Sequence, residues 1–552
     1  MPNIAPRPGQ EARKNLIFIC AIAAAGAALY LPFLNNELVF DDLSFFYQPN
    51  VLSHYATRPF DFRPRTFPYF TFAFVHALTQ SFEVQRLVNL LIHLANGSLL
   101  FVIARQLFIL TDTNKNVASN AHRKLHDREI LVCHYVALAF VLHPVAVYGT
   151  AYLVQRTILF ATFFSLLSLY CFAISLTTDN WRPRVLAALL ASVAILSKEH
   201  AVTLPFAIAA LTVTTNAGRS RTALIKTVIF ILLCIPAMAL VTFNARYYVA
   251  NTYEIHVALF SPLTDESRWL WLRSALMECS LFFDYLRLWL APDNSKMSVD
   301  IRPPFPLAWH EFGALAGGIS FVSAVFIGFW LLLRSPGNRI AGFGLIYALI
   351  LFSVELTTVR LQEPFVLYRS YLWAPGFLLC GAALLRNIQK GFIAAIFLTT
   401  LPYLAVLSVD RLESLKNNKA VWADAAEKLA SDKRPGAFRI YYNRGVQYVK
   451  SRRYDLAMAD MQRCESLQPD FFGCRLGKAL IFEKRKEYRA ALFETEAAIA
   501  LDKRNPAAWE QKGRLLDSLG MPGSQDAYAE ADRLGGSLGS LFRKKPGIAT
   551  AN

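Results

Sequence analysis

Charge is scarce in this chain. Charged residues make up 18% of its 552 positions, whereas 55% are apolar. The apolar residues gather in many separate runs of roughly 17 to 25, the length that crosses a bilayer. That shortage excludes a soluble globular enzyme, for which length alone predicts two to four domains, and it excludes a disordered chain. Cysteine is scarce too, with eight in all, which rules out a secreted disulfide scaffold. Cys20, Cys133, Cys171, Cys234, Cys279 and Cys380 fall in or beside apolar runs and read as small buried hydrophobes. Cys464 and Cys474 lie in a polar helical tail, where an oxidising compartment would let them pair. Glycine-rich nucleotide loops are lacking: neither a P-loop nor a dinucleotide fingerprint occurs, and the Cys and His spacings form no zinc site. Any metal requirement stays open. Acidic residues are outnumbered, 40 against 57 Lys and Arg, leaving +17. Much of that excess sits in short loops between apolar runs, so it is a topology signal and no nucleic-acid partner is expected.

What is present is a polytopic, all-α membrane protein. A basic flank (Arg7, Arg13, Lys14) precedes a first run, Asn15 to Phe33, that no small-residue cleavage site follows, so it reads as an uncleaved span. Ten further runs follow at about 85–109, 129–150, 156–176, 184–197, 201–215, 227–243, 313–333, 340–358, 370–386 and 391–408, giving about eleven crossings. With the N-terminus in the cytoplasm, the loops 110–128, 177–183, 216–226, 334–339 and 387–390 are internal and all carry Lys or Arg. An odd count then puts everything after residue 408 outside. Two apolar stretches, 66–80 and 268–291, are assigned as interfacial or re-entrant helices on the external side, since counting either one as a crossing breaks the charge agreement. The short segments 184–197 and 201–215 flank Ser197-Lys198-Glu199-His200, and as a thin hairpin they carry these charges partway into the membrane.

After residue 410 the composition turns polar and helical with a 34-residue period. Gly445, Ala479 and Gly513 share that spacing, as do Tyr454 and Tyr488, Ala457 and Ala491, and Cys464 and Ala498. Small residues recur where two helices approach and an aromatic recurs where one pair packs on the next, which is the tetratricopeptide signature. Residues 411–533 are therefore expected to form a repeat α-solenoid whose third unit loses register after Gly520. Its concave face suits a peptide or partner protein, and 534–552, Gly-rich and basic, reads as a disordered tail.

The chemistry-bearing residues collect on the external side. The first loop, 34–84, holds Phe40-Asp41-Asp42 and then Arg63-Pro64-Arg65. Later come His143-Pro144, Gln155-Arg156, Lys198-Glu199-His200, Arg246, and a loop with Arg360, Glu363, Tyr368, Arg369 and Tyr371. Paired carboxylates near a membrane surface suit activation of a hydroxyl acceptor. Several cations, here Arg63, Arg156, Lys198 and Arg369, suit an anionic lipid phosphate whose leaving-group charge they stabilise. Each has a plainer reading. Asp41 and Asp42 are also a solvated loop end, the cations also snorkel or pair with Glu199 and Glu363, and a histidine before proline more often caps or packs.

In this order, Phe40-Asp41-Asp42, Arg63-Pro64 with Thr66, Asn89 with His93, His143-Pro144-Val145, Gln155-Arg156, Lys198-Glu199-His200, Glu363 and Tyr368-Arg369 with Tyr371, followed by the repeats, the chain resembles the transmembrane and tetratricopeptide-repeat containing O-mannosyltransferases and their bacterial relatives. The resemblance covers roughly 10 to 520. It implies a glycosyltransferase C-type helical core over 1–410, a polyprenyl-phosphate sugar donor, a protein hydroxyl acceptor, and Asp41 or Asp42 as the catalytic carboxylate. On this reading Arg63, Arg156, Lys198 and Arg369 hold the donor phosphate, while His143, Gln155, Glu199, His200, Arg246, Glu363 and Tyr371 shape the pocket. The compact loops suggest a bacterial inner membrane, with the repeats in the periplasm. Two alternatives stay open: a ligase or polymerase that moves an oligosaccharide from a lipid pyrophosphate, and a non-enzymatic scaffold or transporter with a repeat docking site.

Overall fold

The computed structural model describes residues 8–48, 50–58, 61–111, 125–215, 220–249, 269–361 and 363–535. Among them every regular element is helical, and an isolated β-bridge joins Ile301 to Phe365. The described residues up to Val421 form one unit and those from Trp422 a second. The tail beyond 535, much of the loop 110–128 and residues 250–268 lie outside the described residues.

In the first unit, α1 (Pro8–Tyr30) precedes three short helices of the first long loop, α2 (Asp41–Tyr47), α3 (Val51–Ala56) and α4 (Thr66–Leu78). Then come α5 (Phe82–Leu110), α6 (Asp127–Val141), α7 (Pro144–Thr150), α8 (Arg156–Thr177), α9 (Arg182–Ser197), α10 (Leu204–Thr214) and α11 (Arg221–Ala245). The unit closes with α12 (Leu270–Leu290), α13 (Phe312–Arg334), α14 (Arg339–Phe352), α15 (Ala374–Leu385) and α16 (Lys390–Ser414).

All eleven expected crossings are helical. By length and composition, however, only seven helices among the described residues reach across a bilayer, or eight if the bent pair α6–α7 is one span. These make the chain a multi-pass membrane protein. The shortfall lies in α9, α10 and α15, with 16, 11 and 12 residues. At 1.5 Å per residue they fall short of the roughly 30 Å hydrocarbon core. They are apolar because they pack on neighbours: Ala187, Ala191 and Ala194 of α9 are fully buried, and the Ser168 hydroxyl of α8 reaches the Ala187 carbonyl at 2.7 Å. The parity argument for the side of the tail therefore does not carry over. The helix α12 is drawn into the bundle, where Phe282 meets Phe321, Phe352 and Phe377.

Three local features shape the site. Pro144 lacks an N–H and cannot continue α6, so α6 and α7 meet at 56° and the following turn doubles back toward the first loop. Gly344 and Gly376 let α14 and α15 touch backbone to backbone, since a Cβ on either would lie 2.4 Å from the other's carbonyl oxygen. Beyond α14 the helix tightens into a 3₁₀ turn, Ser353–Thr357, that presents Glu355.

The chain passes out of the first unit along α17 (Asn418–Glu427). The second unit continues with α18 (Ala437–Lys450), α19 (Tyr454–Leu467), α20 (Phe472–Lys484), α21 (Tyr488–Leu501), α22 (Pro506–Leu519) and α23 (Ser524–Arg533), three consecutive helix hairpins. Tyr454 and Tyr488 open the second helices of the first two hairpins, and Ala457, Ala479, Ala491 and Ala498 are fully buried. A left-handed residue follows the first helix of each hairpin at the same spacing, Arg452 at φ 59, Lys486 at φ 66 and Gly520 at φ 65, and the third hairpin departs from the period only after it, where α23 starts at Ser524. Cys464 and Cys474 are joined in a disulfide, buried against Phe438 and Phe471.

Candidate functional site

Six separate stretches of the first unit line one cavity of about 930 Å³. They are α2 with Gln48 and Val51, residues 64–69, the turn 154–157, residues 198–203, the end of α11 with 248–249, and residues from 353–369. All belong to the side that loop charge grouped together.

The two adjacent aspartates have different surroundings. Asp41 lines the cavity, and its N–H donates to the Tyr152 hydroxyl at 3.0 Å. Asp42 is fully buried behind it and accepts from Val154 N–H at 2.8 Å and, at longer range, from Leu153 N–H at 3.4 Å. It thus ties the start of α2 to the turn that Pro144 redirects. Burial outweighs these donors and the nearby Arg86, and pushes the Asp42 carboxyl up to about 7.

Other lining residues, His200, Arg360 and Arg369, belong to a charge network centred on a buried residue the sequence reading overlooked. Glu355, 1% exposed, receives Arg360 at 3.1 Å, Arg369 at 3.1 Å and His200 Nε2 at 2.8 Å. Arg369 also reaches Glu363 at 3.3 Å. Glu199 is clamped by both ends of the Arg65 guanidinium, which bridges the first loop to the turn after α9; the Arg65 N–H reinforces this by donating to the Leu196 carbonyl at 2.6 Å. Lys198 stands between these groups. Its ammonium lies 5.7 Å from the centre of the Tyr368 ring, and no carboxylate pairs with it among the described residues. A cation so placed is available to an anionic ligand.

Of the residues singled out in the sequence, Asp41, Pro64, Arg65, Gln155, Lys198, Glu199, His200, Arg360, Glu363, Tyr368 and Arg369 line the cavity. Asp42, Arg63, His143, Arg156, Arg246 and Tyr371 do not. Arg63 points to solvent with Asp61 at 3.4 Å, and it is Arg65 that faces inward. Arg156 is buried and spends four of its five N–H donors on Asn89, Thr71 and Gln85, pinning α4, α5 and α8. His143 stacks on Trp289 at 4.3 Å and caps α7 by accepting from Val145 N–H. Tyr371 shares its hydroxyl with His93 at 2.7 Å and Asn96 at 3.2 Å inside the bundle. Arg246 folds over Phe243 and Tyr247. For His143 the packing reading fits; Arg156 and Tyr371 support the site from behind.

Glu355 did carry a sequence signal, since an ionisable residue inside an apolar run marks function by default. No group of three or more His, Cys, Asp or Glu is placed to hold a metal among the described residues. Compared with models of known protein families and with curated proteins, the chain matches none.

Proposed function

We propose that this protein is a membrane-embedded glycosyltransferase that moves one sugar from a polyprenyl-phosphate donor to a hydroxyl of an exported protein. The observation that carries the reading is the convergence on one cavity of Asp41 with Lys198, Arg360 and Arg369. In the reaction the acceptor hydroxyl attacks the anomeric carbon and Asp41 takes its proton. The bond from that carbon to the phosphate oxygen breaks, and its electron pair leaves on the phosphate. Lys198, Arg369 and Arg360 stabilise that developing charge in a site partly closed to water.

A cavity of about 930 Å³ suits a sugar phosphate with an acceptor side chain better than a preassembled glycan. Val202, Val241, Val249 and Val354 give it an apolar side for the first isoprene units. The hairpins at 34-residue spacing support a tetratricopeptide reading of the second unit, with a groove for the acceptor. The order of motifs supports a glycosyltransferase C-type core. The Cys464–Cys474 bridge supports an oxidising compartment for the repeats, in keeping with a bacterial inner-membrane protein whose N-terminus is cytoplasmic and whose repeats are periplasmic.

The test is mass spectrometry of exported proteins with and without the gene. A single-sugar increment that disappears on deletion and returns with the native gene is the expected result. An oligosaccharide-sized increment would favour the lipid-pyrophosphate ligase, and unchanged masses together with a lost envelope complex would favour the scaffold.

A further inference from the structure

The residues before Asp41 are held by the stem that leaves the last long membrane helix. Asn36 Nδ2 donates to the Leu412 carbonyl at 3.2 Å, and Glu37 N–H donates to the Lys416 carbonyl at 2.8 Å. The Asn418 carboxamide then brackets Val39, just before Phe40. Its Nδ2 donates to the Leu38 carbonyl at 3.0 Å, and its Oδ1 accepts from Phe40 N–H at 3.2 Å. Phe40 sits at φ 53 and ψ −125, a conformation that glycine takes readily and a residue with a Cβ takes only when its surroundings impose it.

That conformation sets the direction in which the chain enters α2, and so where the Asp41 carboxylate points. Arg86 holds the earlier flank, donating to the Leu34 and Glu37 carbonyls at 3.0 and 2.9 Å; on the later side Asp42 N–H donates to the Val39 carbonyl at 3.1 Å, Leu43 N–H donates to the Phe40 carbonyl at 3.2 Å, and the Phe40 ring meets Tyr152 edge to face at 6.1 Å. The carboxamide of Asn418 fixes the peptide plane that enters the strained torsions, and the Tyr152 hydroxyl, accepting from Asp41 N–H at 3.0 Å, fixes the plane that leaves them. It stands shortly before the second unit begins at Trp422.

We infer that Asn418 is a positioning residue for Asp41, holding Phe40 in its left-handed conformation so that the carboxylate faces the cavity. The inference rests on Asp41 being the base of the proposed transfer. With Asn418 truncated, Phe40 relaxes to negative φ and the start of α2 turns, while the lining cations are untouched.

The experiment uses the full-length protein in detergent with a polyprenyl-phosphate mannose probe and a Ser/Thr-rich peptide, together with hydrogen exchange of the segment 36–42. Asn418→Ala is expected to raise exchange at the Phe40 and Asp41 amides at least tenfold, leaving the segment 353–369 at native protection. Turnover should fall about tenfold with the donor KM within twofold. Adding Phe40→Gly to Asn418→Ala should recover most of that turnover, because glycine takes the same torsions unaided. A general loss of packing would not be rescued in this way. Native exchange in Asn418→Ala overturns the inference whether or not the probe is turned over, and so does a double variant no better than the single one. Asp41→Asn in parallel separates the two failures: if it transfers sugar at the native rate, the underlying reading is what has failed, and the positioning role falls with it.

Discussion

Charged side chains in the first unit and on the outer surface of the repeat unit make the same bonds in opposite surroundings. Glu355, 1% exposed, gathers Arg360, Arg369 and His200 at 2.8 to 3.1 Å. In the repeats, Arg485 pairs with Asp455, whose side chain is 99% exposed, and Arg514 lies over Glu510 and Glu483 on helix surfaces. Surface pairs trade water for one another at little net gain. A carboxylate gathered inside a bundle has given up its water entirely, and removing either partner strands the other. The Glu355 network is therefore held by its charges, whereas the outer surface of the repeats is not; the repeats bury two paired carboxylates of their own, Asp460 with Arg444 and Glu494 with Lys478, beside their small residues and one covalent bridge.

The largest expected effect comes from breaking the buried network. Glu355→Ala leaves Arg360, Arg369 and His200 facing one another. Thermal unfolding of the detergent-solubilised protein should register a loss of about 3–5 kcal/mol, and Glu355→Gln, which keeps the shape and accepts hydrogen bonds, should lose less. Next is the bridge in the repeats. Replacing Cys464 and Cys474 by Ser opens a loop of sequence separation 10, which should cost the isolated unfolding transition of that unit about 2–3 kcal/mol. A reducing agent should reproduce the shift in the native protein and do nothing to the variant.

A smaller effect separates the adjacent aspartates by pH. The Asp42 carboxyl titrates near 7 when folded and near 4 when unfolded. Between these values the folded state binds the extra proton. The stability this gives is complete below about pH 4 and is lost as pH rises through 7. Asp42→Asn, which still accepts from Val154 N–H, should abolish that decline in a melting-temperature series from pH 4 to 8. Last, Arg485→Ala should leave the melting temperature unchanged at physiological salt. A large drop there would erase the contrast between the Glu355 network and the outer surface of the repeats.

Much of this arrangement was legible in the chain. Basic short loops group the segments that surround the cavity, and a strict 34-residue recurrence of small residues marks the hairpins. What could not be read is set by contacts between distant residues. Asp41 and Asp42 differ because Val154, 112 positions along the chain, takes one of them. In Arg63-Pro64-Arg65 either arginine suits an anion, and only the Glu199 partner selects the second. Arg156 resembles a ligand for phosphate until Asn89, Gln85 and Thr71 are seen to occupy its donors. Apolar runs of 11 to 16 residues are ambiguous for a different reason: packing inside a bundle and exposure to lipid select the same side chains.

Single-turnover transfer from a polyprenyl-phosphate sugar, measured for Asp41→Asn beside Asp42→Asn at pH 7, bears most directly on the site. Asp41→Asn should transfer about 10²–10⁴ times more slowly while still binding the donor, and Asp42→Asn should stay near the native rate. Equal losses in the two variants, or an Asp41→Asn protein that transfers sugar like the native one, would contradict the assignment of Asp41 to the cavity's chemistry.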